Sequence, residues 1–350
     1  MKVRFYSLHL LSLFFVFVGC TTTGYINSRQ QSLSVKPQNI VFVQIEGLGV
    51  THLGALRFGV QSDQDIDLLS SFNCTGVVWP QNFYSMRPRA FDSMNAQILG
   101  SKSMNGSCKD FDLIPFWKRF NSNKKKVVIL EVGSVSQNTL ENQKSCSGES
   151  FLKDVFLFRT GTKASSKQQY FSFNSLPPER AGVYYDKHCS LKKKGKKCTS
   201  TLEDNINFII RNFFPKGGNT FFLIRDFRYK KLIHDGKIAE AFNHLKTMLS
   251  ILSSKTYLDQ GPRDLLTLVL GSSSIEIEFP NTLRRWDRLL RKSKGKLFKY
   301  SGLQSLALSK GASSENFCGS FFDSEVVEKI FFHHDRARSI TEAFEGIFTW

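Results

Sequence analysis

The run Asn39-Ile40-Val41-Phe42-Val43-Gln44-Ile45-Glu46-Gly47-Leu48-Gly49 decides the fold class. It is a near-continuous apolar stretch of strand length without polar alternation, the pattern of a strand buried in a parallel sheet. It stops at a carboxylate followed by two glycines, so an acidic side chain stands at a strand tip beside a turn.

Downstream, short apolar runs alternate with amphipathic segments. Gly76-Val77-Val78-Trp79 reads as a second strand. Ala90 to Leu99 has helical spacing, with Gly100 where a helix stops. Leu113 to Phe120 reads as a short helix and Lys126 to Leu130 as the strand after it. Residues 140–200 turn rich in Ser, Lys and Gly, and are expected to form an irregular, cysteine-containing insertion over the sheet. Leu202 to Phe213 places Ile206, Ile209, Ile210 and Phe213 on one helical stripe. Thr220 to Ile224 is a buried strand ending at Arg225-Asp226, Lys237 to Leu252 a long helix, and Leu265 to Leu270 another buried strand ending in Gly271-Ser272-Ser273-Ser274. The pattern predicts an α/β fold with a largely parallel central sheet flanked by helices. Residues 38–350 would form one domain carrying the insertion. The order of elements in 281–350 is not legible.

The chain has 350 residues, 41% of them apolar and 22% charged, which excludes wholesale disorder. At its start, Lys2 and Arg4 precede the apolar run Leu10 to Val18, a secretory signal in three-part form. Gly19-Cys20 follows, so the segment resembles a bacterial lipoprotein signal: residues 1–19 would be removed, Cys20 lipidated, and 20–37 left as a flexible tether. Thr21 after the cysteine resembles sorting to an outer membrane, which predicts a lipid-anchored protein of the cell envelope facing periplasm or exterior. Removing Lys2 and Arg4 lowers the net charge from +18 by two, to +16. That surplus favours anionic partners, and without a nucleic-acid-binding motif the expected ones are membrane headgroups, an anionic envelope ligand or a partner protein. Six cysteines remain beyond Cys20. In an oxidising compartment they are expected to form disulfides, with Cys189–Cys198 bracketing a lysine-rich loop and Cys74–Cys108 as a second candidate pair.

The order of an apolar strand tipped by an acid and glycines, a helix ending at Gly100, a strand tipped by Asp226, a long helix and a further strand resembles the alkaline phosphatase-like superfamily, which includes sulfatases and phosphodiesterases. The resemblance covers about residues 38–136 and 218–275. It implies two divalent cations, held by carboxylates and imidazoles at strand ends, beside a nucleophile. By that resemblance Glu46 stands where a metal-binding Asp is usual, and Asp226 with His234 would hold one metal. The nucleophile position falls on Ala90, which has no nucleophilic atom, leaving Ser85 and Ser93 as the nearest hydroxyls. Arg87 and Arg89 are placed to grip an oxyanion. Where relatives carry Asp-His-Gly, this chain has Gly271-Ser272-Ser273-Ser274, and the distant candidate for a replacement, His333-His334-Asp335, is expected to be exposed on a basic segment.

Three losses in a centre whose parts act together predict a non-catalytic protein that binds an anion and needs no cofactor. The alternative is a phosphate- or sulfate-ester hydrolase using zinc, manganese or calcium, with Ser85 as nucleophile. A structural envelope lipoprotein is the third reading.

Overall fold

The computed structural model describes residues 37–59, 68–104, 110, 113–120, 126–133, 139–140, 152–160, 169–173, 176–186, 201–214, 219–254, 264–278, 282, 284–286 and 298–331. In chain order the strands are β1 (Asn39–Glu46), β2 (Cys74–Trp79), β3 (Lys126–Val132), β4 (Val155–Thr160), β5 (Gln169–Phe171), β6 (Gly182–Asp186), β7 (Thr220–Asp226), β8 (Leu265–Ser272), β9 (Ile275–Ile277), β10 (Phe298–Ser301), β11 (Ser305–Gly311) and β12 (Gly319–Phe322). The helices are α1 (Thr51–Gly59), α2 (Ala90–Leu99), α3 (Phe116–Phe120), α4 (Leu202–Phe213), α5 (Arg228–His234), α6 (Ile238–Ser253) and α7 (Val326–Phe331). None of the described helices is long and apolar enough to cross a membrane.

Ten of the strands form one sheet in the order β12-β2-β11-β8-β1-β7-β3-β4-β6-β5. All its pairings are parallel except those of β11, which runs antiparallel between β2 and β8. β1 lies at the centre, with Phe42 opposite Leu223 of β7 and Leu268 of β8. Its successive side chains enter two cores. Val41, Val43 and Ile45 pack with α4, α5 and α6 on one face, while Ile40 and Phe42 pack with α2, α3 and α7 on the other. Burial on both faces is why β1 has no polar alternation, and each such side chain contributes about 1.5–3 kcal/mol.

The α/β reading holds, with two differences in detail. The described part of residues 140–200 does not lie over the sheet. It supplies β4, β6 and β5, which continue the sheet from β3 in parallel register. These strands are short and, like β1, β4 is apolar on both faces, so they lack a readable period. The second difference concerns Cys74, which is bonded to Cys318 and not to Cys108. The cause lies in the strand order: β12 pairs with β2 through Gly319 opposite Gly76, which carries the preceding Cys318 alongside Cys74. Cys20, Cys108, Cys146, Cys189, Cys198, His333 and His334 lie outside the described residues, as do the signal and almost all of the tether.

α2 begins and ends where its sequence predicts. Gly100 closes it in the left-handed conformation at φ 69°, donating to Ala96 O. A Cβ there would lie 2.8 Å from Val327 Cβ, so α7 packs against a surface only glycine leaves open. α4 starts on a capping box in which Thr201 and Asp204 satisfy each other's backbone amides.

Candidate functional site

The parallel strands β1, β7, β8 and β3 end on one edge of the sheet, and α2 packs across it through Met94 and Gln97. That edge is where open α/β sheets place ligands. A row of polar side chains crosses it on the α2 side, because Gln44, Arg225, Glu131 and Arg159 are in register on adjacent strands. All four are buried. Gln44 Nε2 donates to Met94 O at 2.8 Å and to Gln97 Oε1 at 3.0 Å, and Gln97 Nε2 donates to Gly271 O at 3.0 Å. These bonds fix α2 across the ends of β1 and β8.

Beside them, Glu131 stands between two guanidiniums. Its Oε1 is 3.0 Å from Arg225 Nη1 and its Oε2 is 3.3 Å from Arg159 Nε. Leu140 N also donates to Oε1 at 2.9 Å. Arg159 Nη1 donates to the Tyr185 hydroxyl, at 2.9 Å. Burial pulls the Arg225 guanidinium below its ordinary value, against the opposing pull of Glu131. Charges this deep persist only when paired.

Glu46, at the tip of β1, is bound by Lys230 Nζ at 2.8 Å. Lys230 sits in the short helix α5, which the Asp226 carboxylate caps by accepting from Arg228 N at 2.8 Å and Tyr229 N at 3.4 Å. The other Asp226 oxygen is 2.8 Å from His244 Nε2. The imidazole that meets Asp226 is therefore His244, and not His234. α5 buries Tyr229, Leu232 and Ile233, and His234 falls off that stripe at the exposed end of the helix. His244 lies on the inward stripe of α6 and reaches Asp226 instead.

A second imidazole lies below. His52 Nε2 is 2.8 Å from the Ile275 carbonyl, which can only accept, so that nitrogen carries the proton. Nδ1 then accepts from the Tyr229 hydroxyl at 2.7 Å. Burial lowers the His52 pKa to about 3, so it is neutral, and burial pushes Tyr229 well above its ordinary value. Both act as struts beneath α5.

At the start of α2, Arg89 is the N-cap residue and makes no side-chain cap bond. Its guanidinium, mostly exposed, binds the buried Asp92 at 3.1 Å, which raises the Arg89 pKa. Arg87 is exposed. Ser85 lies in the loop before it, where its N donates to Asn82 Oδ1 and its Oγ accepts from Arg87 N at 3.0 Å. The described partners of Ser85 thus belong to its own loop, and none is a base. Ser93 is buried and faces Asp323, whose carboxyl burial pushes up to about 8.

By sequence the chain matches no described protein family and no curated protein. By structure it is similar to the alkaline phosphatase of the Antarctic bacterium TAB5, with a TM-score of 0.57 and 11% identity over 85% of this chain and 98% of that one. The cold-active alkaline phosphatase of a psychrophilic Shewanella gives a TM-score of 0.60 and 13% identity over 83% and 98%. That of Thermus thermophilus gives 0.57 and 12% over 88% and 93%. The fold is alkaline phosphatase-like. Fold alone leaves the chemistry open, so the metal question rests on the side chains present. Glu46 is occupied by Lys230, both Asp226 oxygens are committed, and β8 ends at Ser272 with Ser274 just beyond it, both buried. Among the described residues no three His, Cys, Asp or Glu side chains gather into a group that could hold a metal ion. Among the described residues this donor set does not fit a pair of divalent cations.

Sequence reasoning missed Lys230, His244 and the Arg225–Glu131–Arg159 row. The row had a signal: each member is a charge near the end of an otherwise largely apolar strand.

Proposed function

We propose that this chain is a non-catalytic anion-binding lipoprotein of the bacterial cell envelope, built on an alkaline phosphatase-like scaffold. The observation that carries this reading is the 2.8 Å contact between Lys230 Nζ and Glu46. An ammonium from the chain itself sits on the carboxylate that, by resemblance, would face a divalent ion, and His244 does the same for Asp226. With Ala90 at the nucleophile position and Ser85 tied into a turn, metal and nucleophile are lost together. What is left at the strand ends suits an anion. The N-cap residue of α2 makes no side-chain cap bond, and Arg87 and Arg89 lead into the helix. Lipidation at Cys20 would tether the domain to the membrane, and the net charge would hold it near anionic headgroups or cell-wall polymer.

The test has two arms. Elemental analysis of the purified chain is expected to give no stoichiometric zinc, manganese or calcium, and nitrophenyl phosphate, phosphodiester and sulfate substrates no turnover. Binding of inorganic phosphate or a phosphorylated headgroup analogue is expected to weaken about tenfold or more in the Arg87→Ala, Arg89→Ala double variant. Turnover that Glu46→Ala or Asp226→Ala abolishes would establish the hydrolase reading instead.

A further inference from the structure

Ahead of α2, the loop at residues 81–89 exposes Phe83 at 63%, Tyr84 at 66% and Met86 at 77%. Three large apolar side chains within four residues form a local patch, which marks an interaction surface more often than scattered exposure does.

The loop is built to hold them out. Asn82 is buried, and its Oδ1 accepts from Tyr84 N at 2.9 Å and Ser85 N at 2.5 Å. Asn82 N donates to Ser85 O at 3.2 Å, and Phe83 N donates to Ser103 O at 3.3 Å. Ser103 is anchored in turn, donating to Asp110 at 3.0 Å. The backbone that carries the apolar side chains is thus fixed in advance, and contact costs little ordering.

The charges that the loop itself carries have one sign, and Asp323, which meets the backbone at Gln81, is buried. Arg87 and Arg89 follow it, and no acidic residue lies between Asp67 and Asp92. Asp92 is itself buried under Arg89. The whole chain carries +18. Aromatic rings with a thioether and flanking guanidiniums match the boundary of an anionic bilayer, where rings sit at headgroup depth and arginines meet phosphates.

We propose that the loop carrying Phe83, Tyr84 and Met86 is a membrane-docking surface that inserts into an anionic phospholipid headgroup layer, turning the sheet edge at α2 toward the bilayer. The inference rests on exposure, loop geometry and charge, and does not depend on whether the neighbouring cleft is catalytic.

The test uses the chain from residue 20 onward carrying Cys20→Ser, so that no acyl chain contributes. Flotation with phosphatidylglycerol/phosphatidylcholine vesicles compares it with Phe83→Ser, Tyr84→Ser, Met86→Ser combined. These side chains are exposed, so the variant keeps the parent's thermal midpoint. The parent is expected to float with the mixed vesicles and the triple variant to bind at least about tenfold more weakly. Equal binding by the two would show that net charge alone holds the protein to lipid, and absence of parent binding would show no docking. Either result overturns the proposal. A dimer lost in the variant while vesicle binding stays unchanged would assign the patch to a second copy of the chain, and overturns it too.

Discussion

Changing Glu131 to Gln removes the one anion between two buried cations. The carboxylate meets Arg225 at 3.0 Å and Arg159 at 3.3 Å, and all three side chains are almost wholly buried. Glutamine keeps the shape and still accepts from Leu140 N, but presents an amide to at least one guanidinium and neutralises neither. Breaking a buried ion pair from one side costs about 3–5 kcal/mol. With a urea slope of about 3 kcal/mol per molar or more for a chain of this size, the midpoint of unfolding is expected to fall by about 1 M. Urea titration followed by far-UV circular dichroism measures it. The companion variant, Arg159→Met, Glu131→Leu and Arg225→Met together, removes the charges as a set and is expected to recover most of the loss, since an apolar replacement of a buried ionic group is often neutral or better. A midpoint for Glu131→Gln within about 0.2 M of the parent would refute the reasoning. So would a triple variant as damaged as the single one.

Asp323 titrates at about 8 in the fold and near 3.8 when unfolded. Its contribution is therefore complete below about pH 4 and is lost as pH rises through 8, by up to about 1.4 kcal/mol per unit; Asp323→Asn is expected to flatten that slope in thermal melts from pH 6.5 to 8. His52 has the opposite sign. The fold keeps it neutral down to about 3 while the unfolded chain protonates through 6.5, so its contribution is full above 6.5 and falls with acid. Comparing His52→Gln with the parent at pH 7 and pH 5 is expected to show the smaller acid loss in the variant. Between about pH 4 and 6.5 the two slopes oppose, and the parent profile is expected to be shallower there than either variant's. Replacing Cys74 and Cys318 by Ser opens a cross-link spanning 244 residues. A loss of about 2–5 kcal/mol is expected, and non-reducing peptide mapping should recover the 74–318 linkage.

What the sequence disclosed, and what it did not, follows from the range of each interaction. β1, α2, α4, β7 and β8 were legible because local rules write them: apolar runs of strand length, a stripe of isoleucines, a glycine at a helix end. Their parallel arrangement followed from the helices between them. The disulfide was not legible, because Cys318 reaches Cys74 only through the pairing of β12 with β2. Nor was the partner of Asp226. His234 stands eight residues on and His244 eighteen, and only the phase of α5 and α6 tells which one turns inward. Lys230 looked like one more basic residue on a basic chain until α5 placed it over Glu46.

The strand order also governs when this protein can acquire its shape. Residues 39–46 emerge first from the ribosome, yet their neighbours are residues 220–226 and 265–272, and β2 waits for 305–311. Such distant partnering is slow to nucleate. The first two strands therefore have no partner in the sheet until residues 220 onward have been made, and the centre of the sheet sets late in synthesis.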